Sequence, residues 1–223
     1  MPKGIFITAT GTDTGKTYVT ALMIKKMREL GMNTGYYKAA LSGASTIAGS
    51  DAGYVNSVAN IGQEPETLLS YLYKNAVSPH LASRLEGNPV ELGKVKADFA
   101  HVVEKYDYAV VEGSGGIVCP IRYDAATRIF LEDIIKALAL DTLIVAGAGL
   151  GAINAVVLTV EYMRQRNIVI KGIILNRYTG NVMQKDNIKM IEEITGLPII
   201  SLVEPDAKEL AIDKNELFRI FKE

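Results

Sequence analysis

The stretch from Gly4 to Leu30 constrains this chain more than any other. An apolar run, Gly4 to Ala9, leads into Thr10-Gly11-Thr12-Asp13-Thr14-Gly15-Lys16-Thr17, and a helical pattern follows from Lys16 to Leu30, stopped by Gly31. A strand that passes through a small-residue loop into a helix start is the opening unit of a parallel α/β sheet that binds phosphate. The alternation then repeats. Further strands are predicted over Thr34–Lys38, Tyr108–Glu112, Thr142–Ala146, Ile170–Leu175 and Ile199–Val203, and helices over Ile129–Leu140, Ala152–Arg166 and Val182–Thr195. Runs such as Ala109-Val110-Val111 and Leu143-Ile144-Val145 do not alternate with polar residues, so both faces of their sheet must be covered. The expected fold class is α/β: one P-loop NTPase-like domain over residues 1–223, with a mostly parallel sheet flanked by helices on both faces.

The region from Ala39 to Leu92 is less regular, with short helical pieces near Asp51–Ile61 and His80–Leu85. A long irregular insert beside a parallel sheet reads as a binding region. The net charge is −1 and no Lys/Arg-rich run occurs, so there is no global electrostatic attraction to nucleic acid or to an anionic membrane. Any polyanion it binds is small and held in a dedicated site. Cys119 is the only cysteine, which excludes an internal disulfide and suits a reducing compartment. No signal-peptide pattern opens the chain, and no apolar run approaches the roughly 20 residues of a membrane span. A cytoplasmic location is expected. Cys119 lacks neighbouring metal-ligand spacing and is expected as a buried bystander.

A loop that cradles phosphate needs inward-pointing backbone amides, a lysine that reaches the terminal phosphates, and a hydroxyl for Mg²⁺. Gly15, Lys16 and Thr17 supply these at a helix N-terminus, although Thr10 stands where the first loop glycine is usual. Tyr108 to Glu112 is an apolar strand ending in a carboxylate, followed by Gly113-Ser114-Gly115-Gly116. An acid at that place suits Mg²⁺, and the glycines would let amides approach phosphate or a developing anion. Asp51 is either a second acidic ligand or an ordinary helix N-cap.

These residues resemble the dethiobiotin synthetase family. The likeness lies in the loop Thr10–Thr17, in Tyr37-Lys38-Ala39-Ala40-Leu41-Ser42-Gly43, in Ser50-Asp51-Ala52 and in Ser78-Pro79-His80 with Glu86-Gly87. It continues through Val111-Glu112-Gly113-Ser114-Gly115-Gly116, Leu150-Gly151-Ala152-Ile153-Asn154 and Asn176. The departures are Ala9 and Gly11 in the loop, Ala39 where proline is frequent, and Arg177 where an acid is frequent.

The resemblance implies that the chain uses ATP, Mg²⁺ and CO2 to close 7,8-diaminopelargonate into the cyclic urea dethiobiotin, through a carbamate and a carbamic-phosphoric anhydride. Lys38, Lys16 and Thr12 would be catalytic, and Thr17, Asp51 and Glu112 would hold the metal. The nucleotide would meet Asp13, Thr14, Gly15, Lys16, Thr17 and Tyr18, then Asp51 and Glu112 with Gly113, Ser114 and Gly115. Its base would rest near Asn176, Arg177, Glu204, Pro205 and Asp206. The diamine would touch Thr12, Ser42, Pro79 and Gly115. Leu150, Gly151 and Asn154 would hold its carboxylate from the partner subunit of a homodimer. His80 and His101 are read as a loop and a surface histidine. Two other readings share the phosphate loop. A partitioning or positioning switch ATPase usually has an extra lysine early in the loop, and a cobyrinate-type amidoligase needs a glutamine-hydrolysing domain for which this chain has no room.

Overall fold

The structure, a computed structural model, describes residues 3–221. Seven strands form one parallel sheet: β1 (Lys3–Ala9), β2 (Thr34–Ser42), β3 (Leu69–Tyr73), β4 (Tyr108–Glu112), β7 (Asp141–Gly147), β8 (Ile170–Asn176) and β9 (Ile199–Val203). Their order is β3-β2-β4-β1-β7-β8-β9, with every pairing parallel. A small antiparallel hairpin, β5 (Pro120–Tyr123) and β6 (Arg128–Phe130), stands apart from it. The helices are α1 (Lys16–Glu29), α2 (Asp51–Val58), α3 (Pro79–Leu85), α4 (Leu92–Lys105), α5 (Leu131–Leu138), α6 (Ala152–Arg164), α7 (Val182–Thr195) and α8 (Lys214–Ile220).

The central strands are buried along nearly their whole length, as their unbroken apolar runs require. From β1 the chain first builds toward the β3 edge and later toward the β9 edge. Right-handed crossovers in these two directions put α1 on one face of the sheet and α6 and α7 on the other. The change of direction falls beside β1, and a crevice opens there at the carboxyl ends of the strands, where such sheets bind ligands. The phosphate loop, Glu112 and the turn into α6 lie at strand ends on this side, and Lys38, inside β2, comes level with Glu112.

The predicted elements are present, with some boundaries moved. β2 continues four residues past Lys38, to Ser42. The helix predicted over Ile129–Leu140 begins only at Leu131, because Arg128–Phe130 pairs with β5 first. The Ala39–Leu92 segment, where only short helical pieces are predicted, also holds an edge strand: in β3, Leu69, Tyr71 and Tyr73 are buried and alternate with half-buried Ser70 and Leu72. α8 packs Leu217 and Ile220 onto the body, as its amphipathic pattern suggests.

Candidate active site

Gly15 is the hinge of the phosphate loop. It sits at φ +88°, and a Cβ there would lie 2.1 Å from the Asn176 amide nitrogen, so only glycine fits on both counts. The Asn176 Nδ2 donates to the Thr14 carbonyl at 2.9 Å, while its Oδ1 accepts from the Arg177 N–H at 2.9 Å. Asn176 is buried, and its amide ties the end of β8 to the loop. The Arg177 guanidinium adds a second tie, donating to the Asp13 carbonyl at 2.8 Å. Lys16 bends back to the Gly11 carbonyl at 3.2 Å. Burial pulls the Lys16 ammonium below its usual pKa, and nearby Glu112 opposes the shift.

The register of β2 against β4 assembles the charged centre. Tyr36 lies opposite Val110 and Tyr37 opposite Val111, so one step on, Lys38 comes level with Glu112 and on the same face. The Lys38 Nζ lies 2.8 Å from Glu112 Oε1 and 2.7 Å from Asp51 Oδ2. Thr17, at the start of α1, donates to the same Glu112 Oε1 at 2.8 Å. The other oxygen, Oε2, accepts from the Tyr36 hydroxyl at 3.1 Å. Lys38 and Glu112 are buried, and the Asp51 side chain is half exposed. Burial works against the Lys38 charge, but the two carboxylates prevail and raise its pKa. For Asp51, burial pushes upward and the Lys38 ammonium pulls further down, leaving the carboxyl below its ordinary range.

Asp51 is therefore not the helix cap. Ser50 caps α2 by accepting from the Gly53 N–H, and Asp51, one residue on, is free to face Lys38. Nor does Lys38 snorkel to solvent.

A cavity of about 470 Å³ opens beside this cluster, bounded by Thr12, Lys38, Ser42, Asp51, Pro79 and Gly115 among others. The Ser42 hydroxyl donates to the Val77 carbonyl at 2.6 Å and the Ser114 hydroxyl to the Ala40 carbonyl at 2.6 Å, which fixes both rims. Cys119 lines the cavity too, so it is more than a bystander in the core. Burial pushes its thiol up to about 11, which leaves it protonated at neutral pH. The glycine-rich turn Gly113–Gly116 brings Cys119 back beside Gly115, and which way its thiol then faces is set by packing and by no local pattern.

The glycines after Glu112 divide by role. The Gly113 N–H donates to the Ile7 carbonyl at 2.9 Å, and a Cβ there would press on Phe6 and Leu131. Gly113 thus extends the sheet and its amide is not turned toward a ligand. Gly116 packs against the Gly11 backbone, bringing the two loops together. His80 bonds Ser78 beside the cavity rim, and His101 lies exposed on α4.

Tyr18 donates its hydroxyl to the Ala207 carbonyl, joining α1 to the exposed Glu204-Pro205-Asp206 turn. Asp206 and Arg177 both adopt positive φ, which turns the two segments at the end of the crevice. On the far side of β1, Gly151 caps α6 at φ +86° without a side-chain bond, and Asn187 holds the turn through the Ala148 and Gly149 carbonyls, each at 3.1 Å. Leu150, at 94% exposure, and Asn154 face solvent there.

A phosphate loop on a parallel sheet, with an acid at the neighbouring strand end, defines the class of P-loop nucleotide-binding proteins. The likeness extends to solved structures: a ParA family ATPase of Chlorobium tepidum superposes with a TM-score of 0.56 at 16% identity, over 99% of this chain and 91% of that one. The MinC:MinD cell division complex of Aquifex aeolicus gives 0.58 at 15% identity, over 92% and 83%. At such identities the fold alone is shared. A family model described as an AAA domain matches residues 3–210. Much nearer in sequence is an ATP-dependent dethiobiotin synthetase of Brachyspira hyodysenteriae, 55% identical over 91% of this chain and 92% of the relative. One of Clostridium botulinum is 47% identical over 99% of both. The chain belongs to the ATP-dependent dethiobiotin synthetase family.

Proposed function

We propose that this chain closes 7,8-diaminopelargonate and CO2 into dethiobiotin, with ATP converted to ADP and phosphate. The observation that carries the reading is the Lys38 ammonium, buried between Glu112 and Asp51 at the edge of a cavity that adjoins the phosphate loop. A carbamate and a triphosphate repel each other, and their approach needs concentrated positive charge in a place sheltered from water. Lys16 reaches the phosphates from the loop, and Lys38 lies where the carbamate would meet the γ-phosphate. The carbamate oxygen attacks that phosphorus, ADP leaves, and the second amine then closes the ring and expels phosphate. Thr12, Ser42, Pro79 and Gly115 bound the cavity that would position the diamine.

Hard oxygen donors suit Mg²⁺, and the Thr17 hydroxyl and the Glu112 and Asp51 carboxylates all reach the Lys38–Glu112 centre. These three would hold the ion, which when bound neutralises charge on the β- and γ-phosphates. The base of ATP belongs near Asn176, Arg177 and the Glu204–Asp206 turn.

The diamine also carries a carboxylate, and this chain offers Leu150, Gly151 and Asn154 for it, none of which lines its own cavity beside Lys38. An apolar groove of about 480 Å³ runs from Leu150 along α6 to Ile194 on α7. Leu150, Leu158 and Ile194 are exposed there. A second copy covering this face would bury them and lend its α6 turn to the neighbouring site, making a homodimer. A single domain over residues 1–223 and a cytoplasmic location complete the reading. The test is ADP release by the purified chain with Mg²⁺-ATP and bicarbonate, with and without the diamine. Diamine-dependent turnover yielding dethiobiotin is expected; ATP hydrolysis indifferent to the diamine would sink the proposal.

A further inference from the structure

Tyr36 is buried completely, one turn of the pleat below Lys38, and its hydroxyl points along the sheet to Glu112 Oε2. Its place is fixed from both sides. On one edge β2 pairs with β4. On the other, β3 does not begin until Lys38, and the amide of buried Gln63 stands in for a strand, accepting from the Tyr36 N–H at 2.9 Å and donating to its carbonyl at 2.9 Å. Gln63 is held in turn by Asn56 and Thr67. A rigid phenol is thus aimed at one oxygen of the carboxylate that closes the charged centre.

The consequence lies in how Glu112 divides its oxygens. Oε2 is turned to Tyr36, away from the phosphate loop, whereas Oε1 is the oxygen on the side of Thr17 and Lys38, where a cation would replace one of their two bonds. Mg²⁺ demands a near-octahedral shell and is served by single carboxylate oxygens, whereas Ca²⁺ readily accepts both oxygens of one carboxylate. We propose that Tyr36 is a positioning and specificity-determining residue: by occupying Oε2 it presents Glu112 to the nucleotide's cation through one oxygen only, and so favours Mg²⁺ over Ca²⁺. This rests on the reading that Glu112 holds that cation. Supporting residues of this kind typically change metal affinity by about tenfold or more when lost.

The test compares the full-length wild type with Tyr36→Phe and Glu112→Gln, using calorimetric titrations of ADP alone, Mg²⁺-ADP and Ca²⁺-ADP. Phenylalanine fills the same volume, the Gln63 clamp grips only backbone, and melting temperatures report whether each variant is folded. For Tyr36→Phe, affinity for ADP alone should stay at the wild-type value. Mg²⁺-ADP should bind about tenfold more weakly. Ca²⁺-ADP should change less, so the Mg²⁺/Ca²⁺ affinity ratio falls. An unchanged or increased ratio in Tyr36→Phe, with the cation dependence of Glu112→Gln abolished, overturns the role of Tyr36 and leaves Glu112 in place. Wild-type cation dependence in Glu112→Gln overturns the reading beneath it as well. A general loosening of the fold would weaken ADP with and without cation alike, and would also count against the proposal.

Discussion

The two sides of the crevice are built differently. On the β2–β4 side the charged groups of the centre have partners within the chain: Lys38 bridges Glu112 and Asp51, Thr17 and Tyr36 also donate to Glu112, and Lys38 and Glu112 are buried. On the β7–β8 side the turn into α6 shows solvent an almost bare Leu150, with Leu158 and Ile194 exposed along the same groove. One side is finished and preorganised; the other presents apolar surface of the kind that marks an interaction site. Charge stabilisation cannot wait for a partner, because a buried cation without its carboxylates is costly. In the proposed reading the open surface grips only the remote end of the substrate, and such a surface can be completed by assembly.

The largest effect should come from breaking the finished side. Lys38→Gln removes the cation proposed to draw carbamate and γ-phosphate together, so turnover should fall by roughly 10²–10³-fold or more. Nucleotide binding through Gly15, Lys16 and Thr17 should survive, as a calorimetric titration with ADP would show. The substitution also leaves buried Glu112 without its counter-ion. Stability should drop by about 3 kcal/mol, at the low end for a broken buried pair because Asp51 is half exposed and solvent screens it. Wild-type turnover would remove Lys38 from the chemistry.

The open side should respond in another currency. Leu158→Asp places a charge in the middle of the apolar face of α6, away from the phosphate loop. If two copies meet there, light scattering should report the dimer dissociating at concentrations where the wild type is paired, with affinity between copies lowered by roughly thirtyfold or more. KM for the diamine should rise with it, while ADP affinity and melting of the monomer stay close to wild type. A wild-type chain that is monomeric at assay concentrations and fully active would end the comparison, since the β7–β8 side would then need no completion.

How legible these two sides were in the sequence follows from what each depends on. The phosphate loop, the strand-end Glu112 and the order of strands and helices rest on local pattern, and they stand where the pattern puts them. Lys38 is named through the family resemblance alone, and Asp51 is open between ligand and N-cap until the structure shows that Ser50 caps α2. Tyr36 carries no local signal, because its meaning depends on register. A tyrosine in a strand reads as core until β2 and β4 are aligned and its hydroxyl is seen to reach Glu112. The edge strand β3 was hidden by its shortness, although Leu69, Tyr71 and Tyr73 do carry the period of two. Cys119 and Gly113 exchanged their expected roles for the same reason: which side of a loop faces a cavity and which faces a sheet is a tertiary fact.

The smallest effect separates the two carboxylates of the finished side by pH. Asp51 has its carboxyl below the ordinary value of 3.8, so the stability it adds is present above that pH and is lost as pH falls through the lower folded value. Lys38 has its ammonium above the ordinary 10.5, so its share is present below that pH and disappears only as pH rises through the higher folded value. Between the two the contribution is flat. Asp51→Asn should therefore lower stability slightly at neutral pH, by less than about 1 kcal/mol given the exposure of that side chain. The gap to the wild type should narrow as pH falls below about 4. Urea midpoints from pH 7 down to the acid limit would show it. Curves that stay parallel throughout would mean that Asp51 gains nothing from Lys38, and that Glu112 alone keeps the cation in place.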